Sequence, residues 1–430
     1  MRVSVIAAMA PMMIVGALAC GVDPQPAEAP EAAVRSKAKS YIVDKDSLGG
    51  RCDDARTAAR AHSASTPWCS LARALAAAEP GGTVLVRRGS YHQLVASGAA
   101  RNLTVRGYRS EVPTLAGAVS VDSRGLRLRR MRLTDGVLIE GGSRKIHLVD
   151  NAIASVDSAV VLQDGASDVV VEGNRITSRR GSCVFFSSGP DEPAIVNAAI
   201  RRNVCHGAGV TGVNARNFRD LLIEGNEIKG ITRWDGVVHT NAIRTYAGGS
   251  GLVVRNNFIH DNLAQGLFIK DGKVTDAVVE NNVIARTQGS FKDVNIYDVE
   301  GLRMVNNTIW GKGMVFQGTA TGVLLHNNIL SNLATNANTP LSSANANYNL
   351  ITSGLRVGSR DIAAPPDFVD PDRLDYRLAA GSPGIDAGTS DQAPTLDRRG
   401  RPRVDDPRVR NRGAGARPYY DIGAYELEAR

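Results

Sequence analysis

Residues 220–272 read DLLIEGNEIKGITRWDGVVHTNAIRTYAGGSGLVVRNNFIHDNLAQGLFIKDG, and they hold two successive copies of one pattern. Each copy is a short run of alternating apolar residues (LLIEG, GLVVR) that closes on Asn-x-Ile, first at Asn226 and then at Asn257. Strict alternation describes a strand with one buried face. The Asn turns the chain, because this residue tolerates left-handed backbone and hydrogen-bonds neighbouring backbone. The same closing motif recurs as LVDNAI, VEGNRI, RRNVC, ENNVI, VNNTI and HNNIL, which places further asparagines at Asn151, Asn174, Asn203, Asn282, Asn307 and Asn328. The spacing runs from 21 to 31 residues, the length of one coil of a solenoid with loops of varying size. A single coil cannot bury its apolar face, whereas a stack shares one continuous core. Stacked in register, the asparagines would form an internal ladder.

Composition agrees with a core of small and branched aliphatics. Of 430 residues, 43% are hydrophobic but only 5% aromatic, and 44 are glycine. The formal net charge is +8, carried mostly by arginine. That balance favours anionic partners, although an arginine-favouring genome would give the same excess. No basic tract with interleaved aromatics is present, so nucleic acid is not an expected partner.

The amino terminus reads as an export signal. Arg2 is followed by the short apolar run AAMAPMMIVGALA, which ends at Cys20. Residues 1–19 are therefore assigned to a signal peptide, and the run is too short for a membrane-spanning helix. Ala-Leu-Ala-Cys is similar to a bacterial lipobox, which implies lipidation of Cys20 and a membrane-anchored or otherwise secreted protein. Residues 20–39 are rich in Pro, Ala and Glu, as expected of a flexible tether. Four cysteines remain, an even number suited to an oxidising compartment. Cys52 and Cys69 bracket a polar loop, and Cys183 and Cys205 lie about one repeat apart, so the expected bridges are Cys52–Cys69 and Cys183–Cys205.

The repeat as a whole resembles the right-handed parallel β-helix of the pectate-lyase-like superfamily. The resemblance implies an all-β solenoid with a short amino-terminal capping helix, and a monomer. Residues 40–350 would form the β-helix, including PWCSLARALAAAEPGGTVLVRRGSY, where Leu71, Leu75 and Ala78 share one helical face over the first coil. Residues 351–430 would cover the last open coil, with Asp386, Asp397, Arg403 and Asp421 (in SPGIDAG, DRRGRPR and DIGAYE) as polar contacts of that cap.

In polysaccharide-active members the site lies on a groove along one sheet, walled by inserts between coils. Here the insert is TRWDGVVHTN. Aligning the strand AIR with FIK puts Arg244 beside Lys270, with Tyr297 or Asn295 in the next coil, Gln317 after it, and Asn214 and Ser187 from the preceding coils. Such a site implies β-elimination on an acidic polysaccharide. Arg244 would neutralise a uronate carboxylate, and Lys270 or Tyr297 would remove the acidified proton. His239 is a further acid/base candidate or a sugar hydrogen-bonder. Trp234, Asp235, Asn241 and Asp271 are candidate substrate contacts, Trp234 as a stacking platform. HTNAIR is similar to an H-x-D-x-I-Q-like stretch of secreted β-helix proteins, with Asn241 at the acidic position and Arg244 at the Gln position. Many such lyases use calcium, yet no acidic cluster marks a site here beyond Asp235 with Asp261. Two other readings remain open. One is a non-catalytic surface lipoprotein that binds glycan or protein partners. The other is a glycoside hydrolase using paired carboxylates such as Asp271 with Asp298 or Asp235 with Asp271.

Overall fold

The computed structural model describes residues 39–232, 240–289 and 291–428. Among them, 29 strands form one continuous hydrogen-bonded set, and every neighbouring pair in it is parallel. Parallel pairing follows from the repeat, since each coil returns to its starting edge one strand spacing further along. A coil contributes three strands. One such set is Gln265–Ile269, Val274–Glu280 and Val283–Thr287; the next is Val294–Ile296, Val299–Val305 and Thr308–Trp310. The three positions stack into three sheets around a core of Val, Ile, Leu and Ala. The fold is a parallel β-helix, as the repeat implies.

The asparagine ladder is present and runs one coil beyond the expected repeat. Asn151, Asn174, Asn203, Asn226, Asn257, Asn282, Asn307 and Asn328 each donate from Nδ2 to Oδ1 of the next, at 2.9–3.1 Å. The backbone N–H of each donates to the same oxygen, for instance Asn226 to Asn257 at 2.9 Å. Nδ2 also reaches a strand carbonyl of the preceding coil, as from Asn257 to Ile223 at 2.8 Å. Every polar atom of these buried amides is thereby satisfied. Asn349 continues the ladder, and Asp361 ends it by accepting from the Asn349 backbone at 2.9 Å. The turn itself is made elsewhere than expected. The left-handed residue is the one before the ladder Asn: Asp150, Gly173, Arg202, Gly225, Asn256, Asn281, Asn306, Asn327 and Tyr348 all have φ between 53° and 67°. The ladder Asn keeps its side chain inside, and its predecessor pays the conformational cost of the corner.

At the amino end, the helix Leu71–Ala77 buries Leu71, Ala74 and Leu75 against the first coil. Ser70 caps it by accepting from the Arg73 N–H at 3.2 Å. Ala78 lies just past the helix in extended backbone. Both expected disulfides are formed, Cys52–Cys69 and Cys183–Cys205. The carboxy-terminal segment meets the expectation only in part. Residues as far as Ile362 do sit on the last coil, where Ile362 pairs with Leu350 and Asp361 ends the ladder, but the remainder runs back along the flank of several coils. Tyr376, Ala424 and Tyr425 pack on Val283, Ala285 and Phe258, while Leu378, Ile385 and Ile422 pack on Ile329 and Leu350. Leu341 and Val357 pack against the main core at the far end instead. The side chains of the left-handed asparagines fasten this strap. Asn281 binds the Leu396 carbonyl, Asn306 the Asp421 carbonyl and Asn327 the Thr389 carbonyl, at 2.7–3.0 Å. Asp397 and Asp421 accept backbone N–H groups within the strap, and Arg403 binds Glu426 at 2.9 Å, so both acids and Arg403 are internal contacts.

Candidate functional site

The site rests on the sheet that includes Val184–Ser187, the first half of Thr211–Glu224, the first half of Asn241–Arg255, Gln265–Ile269, Val294–Ile296 and Met314–Phe316. In these strands one face points into the core and the other outward, so residues two apart share the outer face. The register makes one outward row of Phe185, Asn214, Arg244, Phe268, Asn295 and Val315. Two residues further along lies a second row, Arg216 and Tyr246, which continues to Lys270, Tyr297 and Gln317. The Tyr297 N–H donates to the Ile269 carbonyl at 2.9 Å and the Gln317 N–H to the Ile296 carbonyl at 2.8 Å, which holds this second row in step.

Arg244 therefore does not stand beside Lys270. Its partner one coil on is Phe268, and Tyr246 runs alongside Lys270. The result is a block in which cations and aromatics alternate along both directions. Arg244 lies 5.1 Å from the Tyr246 ring centroid, and Lys270 lies 5.3 Å from that of Phe268. Arg216 lies 5.0 Å from Tyr246 and 5.9 Å from Phe185. Phe268 and Tyr297 are tilted against each other at 5.6 Å. Cation–π contact of this kind holds guanidinium groups without neutralising them.

Lys270 is ion-paired with Asp271, Nζ to Oδ2 at 2.6 Å. Asp271 also acts on Arg244 at longer range. Burial pushes the Arg244 guanidinium below its ordinary range; Asp271 and Tyr246 oppose that shift, and the nearby Arg216 adds to it. On this outer face Nε of Arg216, Nε of Arg244, Oδ1 of Asn214 and Oδ1 of Asn295 are all buried without a hydrogen-bond partner among the described residues. Unsatisfied buried polar atoms are rare in native structures, so these four mark where water or a ligand group would bond.

The face continues into a groove of about 600 Å³ lined by Lys292, Asn295, Lys312, Gln317 and Asn332. Lys292 donates to Asn332 Oδ1 at 2.6 Å, and Lys312 donates to the Gly289 carbonyl. Neither lysine has a carboxylate partner among the described residues. Gln317 is exposed here, and Tyr297 is half-buried.

Asn241 does not belong to this face. It is 0% exposed and points into the core, where Nδ2 donates to Gln265 Oε1 at 2.8 Å. Alternation puts Asn241 on the side opposite Arg244, which removes it as a substrate contact. Trp234, Asp235 and His239 lie outside the described residues. Asp298 is tied down by the Thr319 N–H at 3.3 Å. Of the two acids weighed for calcium only Asp261 is described, and its oxygens are engaged. Asp261 gives one oxygen to Arg286 at 2.7 Å and the other to His260 at 2.8 Å, and Asp271 is taken by Lys270. Among the described residues no group of three or more His, Cys, Asp or Glu could hold a metal ion. Arg216, Tyr246, Phe268, Lys292 and Lys312 are site residues that repeat alignment overlooked.

A family model described as a right handed beta helix region matches residues 135–309. No curated protein matches the chain by sequence. Among solved structures, the chain is similar to pectate lyase Pel9A at 14% identity, over 91% of this chain and 97% of that one, with a TM-score of 0.46. A rhamnogalacturonan lyase matches at 11% identity over 77% and 91%, with a TM-score of 0.40. The A-module of the mannuronan C-5 epimerase AlgE4 from Azotobacter vinelandii matches at 14% identity over 66% and 91%, with a TM-score of 0.37. Identities and scores this low say nothing of what the groove does. With the parallel register and the three-sheet coil, the family match makes the fold a right-handed parallel β-helix.

Proposed function

We propose that the outward face around Arg244 binds an acidic polysaccharide outside the cytoplasm and acts on it by β-elimination. The observation that carries this reading is the cluster of buried, unpartnered polar atoms on Arg216, Arg244, Asn214 and Asn295, set among aromatics on one open face. Two guanidinium groups around Tyr246 suit a uronate carboxylate, and aromatic rings suit the faces of sugar rings. A carboxylate neutralised by Arg244 and Arg216 acidifies the proton on the adjoining ring carbon. Tyr297 takes that proton, the bond to the leaving oxygen breaks, and Lys270, ion-paired with Asp271, gives a proton to that oxygen. No step is routed through a metal.

The test is incubation with polygalacturonate, alginate and glycosaminoglycans, following the ultraviolet absorbance of an unsaturated uronate. Product that disappears in Tyr297→Phe and Arg244→Ala supports elimination. The Lys270–Asp271 ion pair favours a second reading, a glycan binder without turnover. Binding lost in Arg244→Ala, with no product from any polymer, would select it. Two disulfides fit an exported protein. Lipidation at Cys20 is part of the same proposal, and loss of membrane association in Cys20→Ser tests it. Among the described residues no helix is long and apolar enough to cross a membrane.

A further inference from the structure

The second sheet carries a different charge pattern, which breaks at one coil. Its outward row reads Arg106, Arg129, Val149, Glu172, Arg201, Glu224, Arg255 and Glu280 in register. From Glu172 onward the signs alternate and the rungs neutralise one another, with Arg201 on Glu172 at 2.8 Å and Arg255 on Glu224 at 2.7 Å. Before Glu172 the row holds arginine against arginine. Beside it, Arg124 is in register with Arg144, and Arg127 is in register with His147, 3.0 Å away. Residues 101–150 contain ten Arg and Lys against five Asp and Glu, in a chain whose whole formal charge is +8.

Stacked like charges are unfavourable unless an anion offsets them. Among the described residues Arg106, Arg124, Arg127, Arg130, Arg144 and Lys145 make no ion pair, and Arg129 alone of this group has one, with Asp150 at 3.0 Å. Asp122 and Asp168 are the acids lining the two adjoining grooves. The mutual repulsion shows in two groups. Arg106 is pushed down by burial, then by Arg130 and Arg129; His147 is pushed down by burial, then by Arg127.

This basic face occupies the first coils after residue 39. The preceding stretch reads as a lipobox cysteine and a short tether, so about 19 residues link Cys20 to the first strand, roughly 65 Å at full stretch. We propose that the face formed by Arg106, Arg124, Arg127, Arg144 and Lys145 docks the protein on the phosphate headgroups of an anionic membrane, which a lipid on Cys20 would keep within the reach of that tether. The alternating Glu/Arg coils that follow would stand clear of that surface. This docking rests on the export and anchoring part of the proposed function, whereas the glycan site lies on the first sheet, a separate face, so loss of vesicle binding and loss of glycan binding are told apart.

The probe is sedimentation with phosphatidylcholine vesicles, with and without phosphatidylglycerol, using the full chain carrying Cys20→Ser so that no lipid anchors it. Binding should require phosphatidylglycerol and fall steeply with salt. Replacing Arg124, Arg127, Arg144 and Lys145 together with Gln should weaken it by at least about 100-fold. The matching control replaces four exposed arginines elsewhere, Arg356, Arg360, Arg410 and Arg417, and should weaken it by less than about tenfold. Circular dichroism checks that each variant is folded, and an all-Lys version of the patch should restore binding. Equal binding to phosphatidylcholine alone, or equal loss in the control, would overturn the proposal. So would binding of soluble polygalacturonate by the patch with no binding to vesicles.

Discussion

Lys270 and Asp271 are adjacent in sequence and joined by an ion pair of 2.6 Å, and this pair, rather than a second cation, is what Lys270 has beside it. Arg244 is left to Tyr246 and Phe268. In the proposed site, anion recognition therefore falls to Arg244 with Arg216. Arg216→Ala and Arg244→Ala should each weaken binding of an acidic polysaccharide by about tenfold or more, the scale of a lost charged hydrogen bond. Asp298→Asn should leave binding unchanged. Isothermal titration or affinity electrophoresis would measure both. Equal effects from all three substitutions would refute the assignment.

The asparagine ladder makes a different demand. Asn257→Leu removes the acceptor of both the backbone N–H and Nδ2 of Asn226, and leaves the Ile223 carbonyl unpaired. With about 1–3 kcal/mol for each buried group left unsatisfied, the variant should lose on the order of 3 kcal/mol or more. Urea unfolding would read this as a lower midpoint. A loss below about 0.5 kcal/mol would mean that the ladder adds register but little stability.

Reduction should act at one place within the stack. Cys183 and Cys205 join neighbouring coils and close a segment of 22 residues, so Cys183→Ser with Cys205→Ser should cost about 3 kcal/mol. Differential scanning calorimetry, with and without reductant, gives the comparison. A reductant effect that persists in the double variant would have to come from Cys52–Cys69.

The strap should loosen as pH rises. Asp386 is 0% exposed, neither carboxyl oxygen has a hydrogen bond of normal geometry among the described residues, and burial followed by Asp421 pushes it up to about 7. Asp405 and Asp406 add to the rise, while the Asp406 backbone opposes it. Burial likewise raises Asp421, to about 6; burial and Asp421 raise Glu426, with Arg403 opposing. A carboxyl whose folded pKa is raised contributes stability in full below its unfolded value, and that stability is lost as pH climbs through the folded one. For Asp386 alone, about 2–3 kcal/mol should disappear between pH 5 and pH 8. Hydrogen-exchange protection in residues 384–426, taken relative to the free-peptide rate at each pH, should be lower at pH 8 than at pH 5, and Asp386→Asn should flatten the slope. A slope of opposite sign would show that these acids are ionised in the folded state.

The fold was legible because two signals coincide at each coil: an alternating strand and an inward Asn whose amide must pair with the next. The site register was not, for a physical reason. Thr245 occupies a core position opposite Ile269, so the nearest apolar residue, Ile243, invites a match with Ile269 when its true partner is Leu267. The corner would have resolved this. Ala247 and Asp271 are both left-handed, with φ of 61° and 52°, and anchoring there brings Tyr246 alongside Lys270. Period-two alternation also sufficed to put Asn241 and Arg244 on opposite faces. The basic face of the first coils could not be seen along the chain, because its arginines come from different coils and meet only when these stack.

The left-handed corner before each ladder Asn has one more consequence. Where the corner residue is Asp150, Gly173, Arg202 or Gly225 the flank is bare of the strap, whereas Asn281, Asn306 and Asn327 each bind it. Three of the four Asn-Asn corners thus work as fastening points, Asn256 being the one with no such bond among the described residues. A lineage that gained or lost a coil among the first rungs would leave the strap in step with its fasteners. The same change between Asn281 and Asn327 would leave the strap one notch out of step with its fasteners, so the molecule can grow in length at one end only.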